Sequence, residues 1–447
     1  MSTLKKLAIK GTIWTFFGYG LNQSLRLFSN VILTRLLVPE IFGMMSLVNT
    51  FRMGLELFTD VGIPQNIVQS ERGEEREFLD TAWTIQVIRG ISIWVLTCIF
   101  AIPVARFYGE PQIWQILPII SLANLISSLQ TARFYVLSRN LDLGKTTIFE
   151  IAERMVALSV MIVFALIYPT VWALVAGAIA GSTFRVIASY FLCPGPFHHF
   201  FLEAKARAEI TNFGRWIFLS SIFTFLAEQA DRLILGKLLP LEILGIYTVA
   251  WALAKLPKQI MTRLSFKVIF PLVSKQAHLP RAQLRKKILR QRLRLLLALF
   301  SIFILFICFG DLIINFLYDD RYVQAGWMLS ILTMGSWFSM LYYTASPCLL
   351  GVGKPLYNAQ GKGVGLFVIS TGIITGYYLA GVLGAIMAVA FSDVIVYSYI
   401  CYGLHKESLS MIKQDLLLTS LLVLVVGVIL SSRYFLGFGN PFSLVPL

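Results

Sequence analysis

The chain has 447 residues, 57% of them hydrophobic and only 14% charged, with a formal net charge of +15. Soluble globular domains carry about 25% charged residues, so this composition excludes a soluble core and points to the bilayer as solvent. A basic excess of this size could suggest nucleic acid, but no aromatic-basic module for it occurs, and lysine and arginine gathered in inner loops are what a multi-span membrane protein shows.

A spanning helix needs roughly 20 mostly apolar residues. Lipid admits only helices or closed barrels, and unbroken apolar runs such as 413–431 exclude the alternation of a barrel. In chain order the apolar runs predict thirteen spans, near 11–34, 41–63, 79–105, 112–132, 146–168, 171–192, 212–235, 241–262, 293–317, 325–350, 361–380, 382–403 and 413–432. Pro39, Pro111, Pro169 and Pro240 mark turns between them. The first run follows Lys5, Lys6 and Lys10 as a secretory leader would. It continues past Arg26 to Leu37 without a small-residue cleavage site, so it reads as a retained first span.

Loop charge gives the orientation. With the N-terminus inside, the inner segments hold about 25 lysines and arginines, whereas the outer turns hold Arg106, Lys237, Arg321 and Arg433. This asymmetry supports the span count and predicts an inside, cytoplasmic N-terminus. Thirteen spans put the C-terminus outside, and the apolar tail 434–447 is too short to cross unaided. Segment 263–294 is the most basic. Leu284, Ile288 and Leu293 recur there on one helical face among Arg285, Lys286, Lys287 and Arg290, which fits an amphipathic helix on an anionic leaflet or a solvated inner loop.

Cys98, Cys193, Cys308, Cys348 and Cys401 are scattered through apolar runs without metal or redox spacing and read as small buried hydrophobes. The pair His198–His199 has no further ligand nearby in sequence, and no metal site is expected. The spacings Gly177 to Gly181 and Gly372 to Gly376 suit close helix packing. Trp14, Trp94, Trp114, Trp172 and Trp327 fall near span ends, as interface anchors do.

The chain carries an internal repeat. Residues 33–47 (LTRLLVPEIFGMMSL) align without gaps on 235–249 (LGKLLPLEILGIYTV), pairing Leu33 with Leu235, Arg35 with Lys237, Glu40 with Glu242 and Gly43 with Gly245. Six spans separate the copies, so both have the same orientation, as in parallel repeats about an axis along the membrane normal. The expected fold class is therefore all-α integral membrane, with two six-helix lobes around a central cavity and one or two extra C-terminal helices. The corresponding domains are 1–195, a cytoplasmic linker 196–211, a second lobe 212–405, and an extra helix with its tail, 406–447.

Ionisable groups at bilayer depth are costly and tend to face protein or a hydrated cavity. In the first span Thr15, Tyr19, Asn22, Arg26 and Asn30 form one stripe at helical spacing; in the second, Asn49, Arg52, Glu56 and Asp60 do the same. The seventh carries Ser221, Thr224, Glu228 and Asp231, with Arg232 beside them, and the repeat sets Glu228 opposite Arg26. Arginine forks suit phosphate or pyrophosphate, which makes Arg26, Arg52 and Arg232, with Asn22 and Asn49, the candidate substrate-binding residues. Glu56, Asp60, Glu228 and Asp231 are candidates for ion coupling, or pair with those arginines. Glu150 and Arg154, four residues apart with the acid first, read as a helix-stabilising pair. Arg89 and Arg185 stand alone in their spans.

Three stretches, LTRLLVPEIFGMMSLV, ADRLILGKLLPLEILGIYTVAWALAKLP and IFPLVSKQAHLPRAQLRKKILRQRLRLLL, together with the span pattern, make the chain resemble the polysaccharide transporter branch of the multidrug/oligosaccharidyl-lipid/polysaccharide exporter superfamily, the Wzx-type oligosaccharide flippases. The resemblance implies two six-helix lobes and an alternating-access flippase. It moves an undecaprenyl-pyrophosphate-linked oligosaccharide for surface polysaccharide biosynthesis, uses a proton or sodium gradient, and needs no cofactor. Such proteins usually have twelve or fourteen spans, so a thirteenth departs from the pattern. A multidrug/cation antiporter of the same superfamily would favour an acidic cavity. A membrane glycan polymerase would need a sizeable outer loop with clustered acid/base residues, and every predicted outer turn is short.

Overall fold

The structure is a computed structural model. It describes residues 3–443 and 445, except for the side chains at 3–13, 15–16, 212–220, 223–224 and 227. Thr15 and Thr224 of the polar stripes therefore lie outside the described side chains. All secondary structure among the described residues is helical, without strands, and the chain forms two compact units, Met1–Phe225 and Leu226–Leu447.

Unit 1 contains α1 (Thr3–Leu36), α2 (Pro39–Phe58), the short α3 (Ile63–Gln69), α4 (Arg76–Tyr108), α5 (Ile113–Ser128), the short α6 (Phe134–Arg139), α7 (Leu143–Ile167), α8 (Val171–Leu192) and the first part of α9 (Ala204–Leu238). Helix α4 packs on α5, α7 on α8, α5 on α8 and α1 on α7, while α2 meets α4 and α5. Small residues set the closest approach: a Cβ added at Gly177 of α8 would lie 2.1 Å from Met161 Cγ, and one at Gly181 would lie 2.9 Å from Ala157 Cβ, both on α7. This spacing serves packing, as expected.

The loop 193–203 is fastened to α4. The Phe201 and Glu203 amides donate to the Thr84 and Thr81 hydroxyls at 3.0 Å each, and Arg72 meets Glu203 at 2.9 Å. His198 lies with Nδ1 2.5 Å from Asp80 Oδ1 and Nε2 2.9 Å from Thr131 Oγ1, its ring stacked on Trp83. His199 Nδ1 reaches the other Asp80 oxygen at 3.0 Å. The histidine pair is thus a latch on one carboxylate, and no metal-binding group occurs among the described residues.

Unit 2 contains the rest of α9, α10 (Leu241–Ala254), α11 (Leu256–Lys275), α12 (Arg281–Leu317), a 3-10 turn (Asp320–Tyr322), α13 (Ala325–Gly351), α14 (Leu356–Lys406) and α15 (Ile412–Phe435). Helix α13 is the central rod, buried along nearly its whole length and packed by α10, α11, α12 and α14. Helix α14 is two predicted spans joined at Ala380 and Gly381. Gly381 adopts φ 56°, ψ −140°, a conformation that only glycine enters readily. The two halves fold back on each other so closely that a Cβ at Gly376 would lie 2.4 Å from the Gly384 carbonyl oxygen.

Five helices, α4, α8, α12, α14 and α15, are long and apolar enough to cross a membrane by length and composition alone among the described residues. The chain is a multi-pass membrane protein. A helix covers most of each of the thirteen predicted spans, with two differences. The eighth span breaks at Lys255, where Pro257 cannot donate to the preceding turn, and continues as α11 to Lys275. Segment 263–294 is therefore not a loop but the end of α11 and the start of α12. Leu284 and Ile288 of the expected amphipathic face are fully buried against Ile269, Val273, Leu349 and Leu404 and so pack on protein and not on a leaflet, whereas Leu293 is exposed. Trp327 is likewise in the core and no interface anchor.

The repeat is visible as backbone geometry. Helices α1 and α2 meet between Leu36 and Pro39, and α9 and α10 meet between Leu238 and Leu241, at equivalent repeat positions. In both turns the same bond closes the first helix: Leu37 N–H to the Leu33 carbonyl and Leu239 N–H to the Leu235 carbonyl, each 2.8 Å. All four leucines are buried.

Candidate functional site

Unit 1 holds a partly open cavity of about 950 Å³ lined from α1 to α8. Five arginines (Arg26, Arg52, Arg89, Arg154, Arg185) and four carboxylates (Glu56, Asp60, Glu150, Glu153) reach it, so its charge is mixed and leans basic. Between them stand neutral polar groups: Asn22, Gln65, Gln86, Asn124, Ser127, Ser128, Gln130 and Ser182. The stripe spacing of α1 and α2 explains why Asn22, Arg26, Arg52, Glu56 and Asp60 all reach this lining, because residues three and four apart share a helix face.

The arginines are held differently. Arg185 pairs with Glu153 across α7 and α8, donates to Gln130 Oε1 at 3.3 Å and lies 5.9 Å over the Phe149 ring. Arg89 donates to the Glu56 carbonyl at 2.6 Å and to Thr59 Oγ1 at 3.2 Å, bracing the end of α2 against α4. Arg154 donates to the Asn22 carbonyl at 3.2 Å, tying α7 to α1. Arg52 is loosest: its Nε is 3.9 Å from Glu56 Oε1 and hydrogen bonds nothing among the described residues. Asp60 accepts the Gly62 amide at 3.0 Å. No ion pair joins Glu150 to Arg154 among the described residues; Arg154 turns to α1 instead.

The cavity thus gathers Asn22, Arg26, Arg52, Glu56 and Asp60 of the candidates drawn from sequence. Asn49 is exposed and is not among the lining residues. The other three candidates belong to unit 2. Glu228 is exposed, Asp231 is buried and accepts the Tyr247 hydroxyl at 2.5 Å, and Arg232 donates to Gln229 Oε1 at 2.5 Å. Glu153, Gln86, Asn124 and Gln130 went unnoticed in the sequence. Glu153 could have been found as the acid one helical face away from Arg154, but lone amides in apolar helices carry no periodic signal.

A second charged cluster, also missed, lies inside unit 2. Lys258 of α11 reaches Asp393 Oδ2 at 3.2 Å and sits 5.3 Å over the Tyr343 ring, and Ser339 of α13 donates to the same carboxylate oxygen. Every charge there has a partner, so the cluster reads as a clamp between α11, α13 and α14.

Residues 32–326 match the family described as "Polysaccharide biosynthesis protein". Among curated relatives, the chain is 20% identical over 390 residues to the teichuronic acid biosynthesis protein TuaB of Bacillus subtilis, covering 85% of this chain and 80% of that one. It is 22% identical over 276 residues to the lipopolysaccharide biosynthesis protein WzxC of Escherichia coli, covering 61% of this chain and 56% of that one. It is 23% identical over 248 residues to the succinoglycan biosynthesis transport protein ExoT of Rhizobium meliloti, covering 55% of this chain and half of that one. Among solved structures it superposes on the lipid II flippase MurJ with a TM-score of 0.72 at 16% identity, covering 97% of this chain and 94% of that one. A multidrug resistance MATE family transporter of the MOP superfamily gives a TM-score of 0.61 at 14% identity, covering 86% and 94%. These likenesses establish the fold.

Proposed function

We propose, from the premise that the chain belongs to the polysaccharide biosynthesis protein family, that it is a flippase for a lipid-linked oligosaccharide, an undecaprenyl-pyrophosphate glycan, and not an enzyme. The observation that carries this reading is the cavity of unit 1. It combines five arginines, suited to pyrophosphate oxygens, with amides and hydroxyls suited to sugars, in about 950 Å³. That volume lies at the upper end of ordinary ligand sites and suits a headgroup better than a compact ion. The names of TuaB, WzxC and ExoT, which refer to teichuronic acid, lipopolysaccharide and succinoglycan biosynthesis, support the same substrate class.

Charge sign separates this reading from the antiporter. A cationic drug needs a net-acidic pocket, and here arginines outnumber carboxylates. In the flippase, Arg26 and Arg52 receive the pyrophosphate, and the site opens to one leaflet and then the other by alternating access. The domain scheme 1–195, 196–211, 212–405 and 406–447 belongs to this reading. So does an inner-membrane location with a cytoplasmic N-terminus, supported by the basic inner segments. Glu56 and Asp60 are the cavity carboxylates available to a proton or sodium ion.

The test is deletion followed by location of the lipid-linked glycan. Build-up on the cytoplasmic leaflet is expected. Build-up of single, unpolymerised units on the outer face would instead assign the chain to polymerisation.

A further inference from the structure

The loop 193–203 between α8 and α9 turns large apolar side chains outward. Phe197 is 80% exposed and Phe200 68%, and Phe201 and Leu202 are exposed as well. Single exposed apolar side chains are ordinary, whereas a contiguous patch of them marks a contact surface. These adjoin one another and the helices beside them. The Phe197 ring lies 5.6 Å from Tyr190 of α8, and the Phe200 ring lies 5.3 Å from Trp83 of α4.

The backbone beneath the patch is pinned. The His198 side chain is shut in among Asp80, Thr131 and Trp83, and α4 fixes the Phe201 and Glu203 amides. Arg133 donates to the Cys193 carbonyl at 3.4 Å and to the Pro196 carbonyl. A Cβ at Gly195 would run into that guanidinium. Pro194 and Pro196 fix two further backbone angles. A loop held at this many points, with its phenyl rings left outside, presents those rings to something. Water is the costly choice, because every apolar side chain kept out of it is stabilising.

We propose that this loop moors unit 1 to the membrane surface. Phe197, Phe200 and Leu202 sit in the headgroup–acyl boundary of the leaflet at that end of unit 1, and Lys205 and Arg207 take anionic phospholipid headgroups. Continuity favours lipid. Helix α8 is long and apolar enough to cross a membrane, its Ile187 and Phe191 are exposed one turn apart, and that face runs on into the loop where Tyr190 meets Phe197. Charge favours lipid too. His199 is held on Asp80 and Glu203 on Arg72, so the exposed lysine, arginine and carboxylate side chains of 193–208 are Lys205 and Arg207, both basic. Basic side chains beside an apolar insertion suit an anionic leaflet. Ala206 and Ile210 pack inward on Phe78, Ala82 and Trp83, which keeps the start of α9 in place beneath them. A protein partner's footprint would carry a polar rim, whereas this patch merges at Phe191 with the apolar face of a spanning helix. The mooring assumes nothing about what the chain transports.

The test places the photoreactive residue p-benzoylphenylalanine at position 197, 200, 191 or 71 of the full chain, in vesicles of phosphatidylethanolamine with a minor share of phosphatidylglycerol. Position 191, on the apolar face of α8, reports that each preparation is folded and inserted; Glu71, exposed in a polar loop, is the aqueous control. Illumination is expected to give lipid adducts at 197 and 200 as at 191, and none at 71. Phosphatidylglycerol should exceed its share of the bilayer about two- to fivefold in the adducts at 197 and 200, since one basic side chain near an anionic surface is worth up to about fivefold. Lys205→Gln with Arg207→Gln should abolish that enrichment and keep the adducts. Lipid adducts at 191 but not at 197 and 200, or equal labelling at 71, overturn the mooring. Enrichment unchanged in the double variant overturns the role of the two basic residues. The same illumination in intact cells should again give lipid adducts, and adducts to another protein in their place would assign the patch to that protein and overturn the mooring.

Discussion

Arg292 of α12 pairs with Asp415 of α15, with both side chains shut away from solvent. The guanidinium also donates to Thr344 Oγ1 at 2.8 Å and to the Leu341 carbonyl at 3.3 Å, and Tyr397 donates its hydroxyl to the other carboxylate oxygen. The ion pair thereby fastens α15 to α12 and α13 through Arg292 and to α14 through Asp415. Removing one member of a buried pair costs about 3–5 kcal/mol, because the other charge is left uncompensated, whereas an apolar pair of similar volume is often neutral. Asp415→Ala is therefore expected to lower the melting temperature sharply, and Arg292→Met with Asp415→Leu to recover much of it. A melting curve for Asp415→Ala that overlays wild type would show that the pair does not hold α15.

Such pairs mark where the sequence stops being legible. Span positions, the turn repeat and the stripes on α1 and α2 could be read because each is periodic along one segment. Arg292 sits in a run of basic residues and looks solvated. Its burial follows from Asp415, more than a hundred residues later, and no local pattern announces that. Arg433 misleads in the same way. Counted as an outer-turn charge, it is buried in the last turn of α15, with its two Nη atoms 2.9 Å and 2.8 Å from the Asp311 oxygens. The cavity divides likewise: α1 and α2 supply groups visible as stripes, while the amides of α4 and α5 acquire meaning only once the helices are packed.

The cavity arginines should separate by how they are held. Among the described residues Arg52 has only a 3.9 Å contact with Glu56, so Arg52→Ala should leave expression and melting near wild type. Each charge-assisted hydrogen bond to pyrophosphate that is lost costs about 1.5–3 kcal/mol, or roughly ten- to a hundredfold in substrate affinity. Arg26→Ala is expected to block glycan export while the protein still reaches the membrane. Arg185→Ala should damage the fold as well, since Glu153 loses its partner. Normal export by a normally expressed Arg26→Ala variant would remove the pyrophosphate role.

The His198 latch predicts a pH dependence. Burial pushes the His198 imidazole below its usual range, against the opposing pull of Asp80. The folded loop therefore prefers the neutral ring, and the released loop takes up a proton more readily. The latch's contribution is complete above the ordinary histidine value of about 6.5 and is lost as pH falls through the lower folded value. Amide hydrogen exchange across 193–203, corrected for intrinsic rates, should rise between pH 7.5 and 5.5. His198→Gln should flatten that dependence, and a wild-type loop equally protected at both pH values would rule the latch out.

Coupling to an ion gradient can be assigned by the partners the carboxylates keep. Asp231 is buried and accepts the Tyr247 hydroxyl at 2.5 Å, a bond that an amide in its place can also accept. Among the described residues Glu56 lines the cavity with only the loose Arg52 contact on its carboxylate, so an incoming proton or cation displaces little there. A group that carries a coupling ion must change partners in the cycle, and Glu56 is the freer of the two to do so. Dissipating the gradient is expected to slow flipping by the wild-type chain in vesicles. Glu56→Gln should flip at that slower rate with or without the gradient, and Asp231→Asn should keep the acceleration. Acceleration retained in Glu56→Gln but lost in Asp231→Asn would move coupling to unit 2, and a wild-type rate indifferent to the gradient would make flipping a downhill process driven by the substrate alone.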